Sequence, residues 1–181
     1  MSSPPMRPPK PDDSLAYATE WARGKMNDRV PIDCPLCRRK IQVARRRPSR
    51  GWGEVLVAMY AITRQRRKQW NPFPWIHVEE EVIRGGMATS LGRDWSNLQH
   101  LRVITRETTE RDPREPGVGM WRLTPFGVQV VEQPKAKLVP KWVDTWNGRA
   151  WKFSADRVSL QSMLGREFSF AEEVKRLQGA A

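Results

Sequence analysis

Thiol and imidazole side chains occur at only four positions, Cys34, Cys37, His77 and His100. The Cys34-Pro35-Leu36-Cys37 spacing lets two thiolates hold one tetrahedral ion at the corner of a turn, which is half of a zinc site. Two further ligands are needed, and His77 is the candidate third. His100 falls on the outward side of a helix expected to face a partner. Zinc completed by His77, zinc shared between chains, and a turn with two free thiols all remain open. Redox chemistry is disfavoured because no thioredoxin-like strand and helix surround the pair. A Gly-rich phosphate loop, a nucleophile elbow and a second CxxC are all absent, which points to a binding protein and not an enzyme.

The groups suited to nucleic acid are more numerous. The 181 residues carry 32 Lys and Arg against 20 Asp and Glu, a net charge of +12. Residues 34 to 68 hold eleven cations and one acid, Glu54, so most of the excess sits in one stretch. Even charging for solubility does not look like this, whereas a phosphate-binding face does. Arg38, Arg39, Lys40, Arg45, Arg46, Arg47 and Arg50 are the candidate phosphate contacts. Among the nine tryptophans, Trp52, Trp95 and Trp121 fall at core positions. Trp142, Trp146 and Trp151, interleaved with Lys141, Arg149 and Lys152, have the pattern of a base-stacking surface, with a role in core packing as the alternative.

These side chains need a scaffold, and hydrophobic periodicity supplies its outline. Prolines 4, 5, 8, 9 and 11 give a disordered or extended arm. Asp13 or Ser14 then caps a short helix ended by Gly24, and Lys40 to Ala44 alternates as a strand. From Gly51 the residues Trp52, Val55, Leu56, Met59 and Tyr60 recur at three and four, which predicts a helix closing on Arg64, Arg66, Arg67 and Lys68. Trp70 to Trp75 is a rigid turn with two prolines. A second helix covers Val78 to Arg84, and a third runs from Thr89 or Ser90 to Leu101, with Leu91, Trp95, Leu98 and Leu101 inward. Val103 to Glu107 and Met120 to Leu123 are strands flanking a charged loop, and Thr124-Pro125 opens another helix. Lys141 to Thr145 and Arg149 to Phe153 bracket an Asn-Gly turn, a strong hairpin signal. Ser159 to Leu164 and Phe170 to Leu177 are short helices.

Helix, helix, helix, hairpin, helix is the order of a winged helix-turn-helix domain. Asn97 to Glu107 resembles the end of the recognition helix and the start of the wing in MarR and PadR regulators. Trp121-Arg122-Leu123-Thr124-Pro125-Phe126-Gly127 is similar to their closing strand and the L-T-x-x-G opening of the next helix. Arg102 stands where their turn carries glycine. With its CPxC segment and C-terminal hairpin, the layout also resembles winged-helix proteins encoded by phages and prophages of actinobacteria.

The resulting expectation is an α+β fold: a winged helix-turn-helix core, an N-terminal CxxC turn, and a C-terminal β-hairpin with short helices. Its segments are an arm at 1–12, a short helix, CxxC turn and basic segment at 13–50, the winged helix at 51–132 and the C-terminal module at 133–181. The resemblance implies a DNA-binding regulator whose third helix reads bases through Arg93, Ser96, Asn97, Gln99 and His100, with Arg111 and Arg114 on the wing. Asp94, Glu110, Asp112 and Glu115 oppose phosphate, and the last three, on the wing, together with the tryptophan-rich C-terminal hairpin favour an alternative, an interaction protein that seizes a host polymerase, nuclease or defence component. A homodimer is compatible with either. The absence of a long apolar run or a secretory leader predicts a soluble, intracellular protein without membrane contact, and the resemblance to phage and prophage proteins implies the cytoplasm of a bacterial cell.

Overall fold

A computed structural model describes residues 7–10, 12–29, 31–34, 39–88, 94–107, 119–146, 149–165 and 169–179. The elements begin with α1 (Leu15–Asp28), β1 (Ile32–Asp33), β2 (Lys40–Ile41), β3 (Ala44–Arg46) and α2 (Arg50–Arg66). Next come β4 (Ile76–His77), a π-helical segment Val78–Arg84, a 3-10 helix Trp95–Leu101, β5 (Ile104–Arg106), β6 (Met120–Leu123) and α3 (Pro125–Glu132). The chain closes with β7 (Val139–Pro140), β8 (Val143–Trp146), β9 (Arg149–Phe153), β10 (Arg157–Val158), α4 (Leu160–Leu164) and α5 (Phe170–Gly179). This is a mixed helix and strand protein with small sheets. No helix among the described residues is long and apolar enough to cross a membrane.

The chain divides into two compact units: Met1–Arg46 with Asp144–Lys152, and Arg47–Val143 with Phe153–Ala181. The C-terminal stretch is thus split between them, most of its hairpin going to the first unit and its two helices to the second.

In the first unit, the Ser14 hydroxyl accepts the Tyr17 N–H to cap α1, and Arg29 ends the helix in the left-handed region at φ 56°. The helix does not stop at Gly24. A glycine inside a helix costs about 1 kcal/mol, and burial of Met26 further along the helix offsets it. Before the helix, Arg7 grips Asp13 through two bonds of 2.7 Å, and the Tyr17 hydroxyl donates to the Arg7 carbonyl. The Arg7 bond, helped by the Lys10 N–H, holds the Asp13 carboxyl down to about 2. β1 pairs antiparallel with β2, Ile32 opposite Ile41 and Asp33 opposite Lys40. The expected strand over 40 to 44 is in fact broken, with β3 leaving to pair with β8 in the sheet β3-β8-β9.

The second unit is organised around α2. Ser49 caps it, and Val55 through Met59 are all 1% exposed or less. A helix buried on every side is a central element and not a surface one. The sequence pattern marks one apolar face, but Val57, Ala58 and Ala61 on the other are buried too, because α4 and α5 pack on α2 together with α3. Gly53 permits the approach of α4: a Cβ there would lie 2.7 Å from a Leu164 methyl. Tyr60 sits 6.0 Å from the Phe170 ring and donates its hydroxyl to Glu132 at 2.9 Å. Burial first, and that bond second, push its ionisation up.

Beside α2 lies the antiparallel sheet β4-β6-β5, with Ile76 opposite Trp121 and Ile104 opposite Leu123. In β6, Trp121 and Leu123 are buried while Met120 and Arg122 are half-buried, the alternation a one-sided sheet requires. Trp95 meets Trp121 edge to face at 5.2 Å.

Candidate nucleic-acid interface

The helix expected to read bases is described only from Trp95, and there it is a 3-10 helix. Three residues per turn put Trp95, Leu98 and Leu101 in one row; Leu98 and Leu101 are buried and Trp95 half-buried. The helix stops at Arg102, which takes the left-handed conformation (φ 60°, ψ 19°) and donates its N–H to the Gln99 carbonyl. The turn therefore has the backbone that a glycine would give, made with an arginine instead.

Residues 123 to 127 lock this turn in place. The Thr124 hydroxyl donates to the Arg102 carbonyl at 2.6 Å and accepts the Gly127 N–H at 3.0 Å, so one side chain both fastens the turn and caps α3. The Thr124 N–H donates to the Val103 carbonyl at 3.1 Å. A Cβ on Gly127 would fall 2.0 Å from that same carbonyl, so the position excludes a side chain. The Leu-Thr-x-x-Gly pattern is the clamp that fixes the end of the 3-10 helix against the start of α3.

Of the expected base-reading residues, Gln99 is exposed, while Ser96, Asn97 and His100 are half-buried. Asn97 directs its side-chain N–H to the Asp94 carbonyl at 2.9 Å, which commits one donor locally. Arg93, Arg111 and Arg114 lie outside the described residues, as does Arg38.

The expected phosphate contacts are divided between the units. Arg39 and Lys40 are exposed in the first. There Arg45 makes a two-point ion pair with Asp144 at 2.7 and 2.9 Å, its own side chain 24% exposed and the acid 4%. That bond raises the Arg45 pKa further. Arg46 is half-buried in β3. In the second unit Arg47 and Arg50 are exposed, and Arg50 pairs with Glu54.

A further basic group, outside the candidate contacts read from the sequence, closes α2. Arg64, Arg66, Arg67 and Lys68 are all exposed. Arg66 pairs with Glu81 and Arg64 lies 6.0 Å from the Tyr60 ring. The signal was present as four cations in five residues at a helix end, where they also oppose the negative end of the dipole. Arg122, half-buried in β6, lies 4.4 Å from the centre of the Trp75 ring.

The candidate metal ligands Cys34 and His77 fall in different units. Cys34 is half-buried in the first unit, where its N–H donates to the Arg39 carbonyl at 2.8 Å across the turn. Cys37 lies outside the described residues. His77 belongs to the second unit, where it caps the π-helical segment by accepting the Glu80 N–H at its Nδ1. Among the described residues no three His, Cys, Asp or Glu side chains are grouped to hold a metal ion.

Two of the C-terminal tryptophans, Trp146 and Trp151, are each 38% exposed and line a groove of about 300 Å³ in the first unit. The groove's opposite wall is one face of α1, from Leu15 through Ala18 and Ala22 to Met26. Trp142 is half-buried. Comparison with protein-family models, curated proteins and solved structures finds no match to this chain.

Proposed function

We propose that this protein is a non-enzymatic DNA-binding protein with a winged helix-turn-helix core, acting as a regulator of the kind carried by phages and prophages. The observation that carries the reading is a combination within one unit. A helix, Trp95–Leu101, is followed by a strand pair that takes up β4 in the order β4-β6-β5, and exposed cations close the neighbouring helix α2. Sequence likeness at 97–107 and 121–127 to MarR and PadR regulators supports the same assignment. In this reading Gln99 and its neighbours address base edges, and Arg64, Arg66, Arg67 and Lys68 join Arg47 and Arg50 in holding phosphates.

The test is a polarisation titration of the full chain against labelled duplexes over a range of salt. Affinity falling linearly on a log-log plot, with a slope set by the number of phosphates neutralised, is the expected result. Absence of binding to any duplex at low salt overturns the reading. A host polypeptide retained after nuclease treatment, without duplex binding, replaces it with the interaction role.

A further inference from the structure

We infer that Trp70 is a stacking platform for an unpaired base, and that Arg64, Arg67 and Lys68 hold the phosphates of the strand carrying it. The inference rests on the DNA-binding reading and extends it to a class of nucleic acid, single-stranded or locally opened.

The platform is built by the backbone. Arg67 leaves the helix in an extended conformation (ψ 135°), and Lys68 and Asn71 then exchange both main-chain hydrogen bonds, at 3.1 and 3.0 Å. Gln69 and Trp70 are therefore the two tip residues of a tight turn. Pro72 and Pro74 stiffen the return, since each fixes its own φ and restricts the residue before it. Trp70 is 77% exposed on this turn, the most exposed of the large apolar side chains described.

A single exposed tryptophan needs no explanation by itself. Its company gives the chemistry. Residues 64 to 75 contain four cations and no acid. The Lys68 ammonium stands 5.4 Å from the centre of the Trp70 ring, and the Arg64 guanidinium stands over Tyr60. The acids that reach this end of α2 are Glu81, which pairs with Arg66, and Glu132, which receives the Tyr60 hydroxyl. Arg64, Arg67 and Lys68 have no carboxylate within ion-pair distance among the described residues. An indole with an accessible face beside several cations is the arrangement that binds single strands, because every base has a π-face and every nucleotide a phosphate. A closed duplex offers base edges in its grooves and keeps the faces stacked, so the ligand must contain an unpaired base.

Tryptophan next to lysine and arginine also suits an anionic lipid surface. Here the apolar contribution at the tip of the turn is one indole, flanked by Gln69 and Asn71, whereas surface-binding segments bury a whole apolar helix face. Nucleic acid is the better fit.

The experiment compares full-length wild type, Trp70→Ala and Trp70→Phe by polarisation, using a labelled single strand, a duplex with one unpaired base and a fully paired duplex. Trp70→Ala is expected to weaken the first two by about tenfold, with a much smaller effect on the paired duplex. Trp70→Phe retains most of the affinity, and unchanged thermal melting of both variants shows that the fold is intact. Equal affinity of Trp70→Ala and wild type for the single strand, with duplex binding present, overturns the stacking role and leaves the DNA reading standing. Wild-type protein that binds no nucleic acid overturns both. Loss of binding to phosphatidylserine vesicles in Trp70→Ala, with single-strand affinity unchanged, overturns the inference in favour of lipid.

Discussion

The arginines that precede α2 and those that end it look alike in sequence but are used differently. Ahead of the helix, Arg45 is held at two points by Asp144, a residue 99 positions away, and Arg50 is paired with Glu54 one turn along. At the far end, Arg66 alone of four cations has a carboxylate among the described residues, while Arg64, Arg67 and Lys68 are exposed. A net charge of +10 over residues 34 to 68 therefore overstates what is left for a phosphate backbone among the cations that precede α2 in sequence more than among those that end it. An ion pair enclosed by protein also differs in kind from a surface one. Breaking it leaves a charge without compensation, whereas an exposed pair contributes about 0–1 kcal/mol.

The largest expected effect is at the enclosed pair. Asp144→Ala should destabilise the protein by about 2 kcal/mol in urea denaturation, below the full penalty for a buried charge because Arg45 keeps partial access to water. Asp144→Asn, which retains one acceptor, should cost less. If neither variant shifts the midpoint, Arg45 behaves like the outward cations and the contrast between the two ends disappears.

Next in size is the outward group. Replacing Arg64, Arg67 and Lys68 together by alanine should lower the slope of log affinity against log salt by about 2–3, since each phosphate left without its cation takes about 0.9 from the slope. Arg45→Ala is expected to leave that slope nearly unchanged while lowering stability. Equal slope changes from the two substitutions would show that the Asp144 bond gives way when DNA binds.

How much of this could be read from the sequence follows the distance over which each feature is determined. The caps Ser14 and Thr124 and the starts of α2 and α3 depend on neighbours within a few residues, and they were legible to within a residue. So were the inward row of Trp95, Leu98 and Leu101 and the alternation in β6. The burial of Val57, Ala58 and Ala61 was not, because it depends on α4 and α5, about a hundred residues downstream. Between Gly51 and Thr63 the only charged residue is Glu54, which was a usable sign that the helix is covered all round. The continuation of α1 through Gly24 depends on what Met26 packs against. The candidate site suffered most from distance, since Asp144 decides the state of Arg45 and no local pattern announces it. Trp70 was legible as part of a rigid turn, but its exposure beside Lys68 is a property of the folded chain.

Arg102 gives the smallest and most discriminating test, because it is an exposed cation kept in a conformation that disfavours it. A non-glycine residue in the left-handed region costs about 1 kcal/mol relative to the right-handed one, and glycine does not bear that cost. Part of the gain from Arg102→Gly is returned through the greater freedom of glycine in the unfolded chain. The net expectation is a stabilisation of about 0.5 kcal/mol, read as a small rise in the denaturation midpoint. The bonds at this turn use the backbone, from the Arg102 N–H to Gln99 and from the Thr124 hydroxyl to the Arg102 carbonyl, so they survive the substitution. If the guanidinium at the end of the 3-10 helix touches phosphate, Arg102→Gly will weaken duplex binding while strengthening the fold, and Arg102→Lys will leave both almost unchanged. A rise in stability with undiminished affinity would remove Arg102 from the interface and confine the phosphate-binding cations to the two ends of α2.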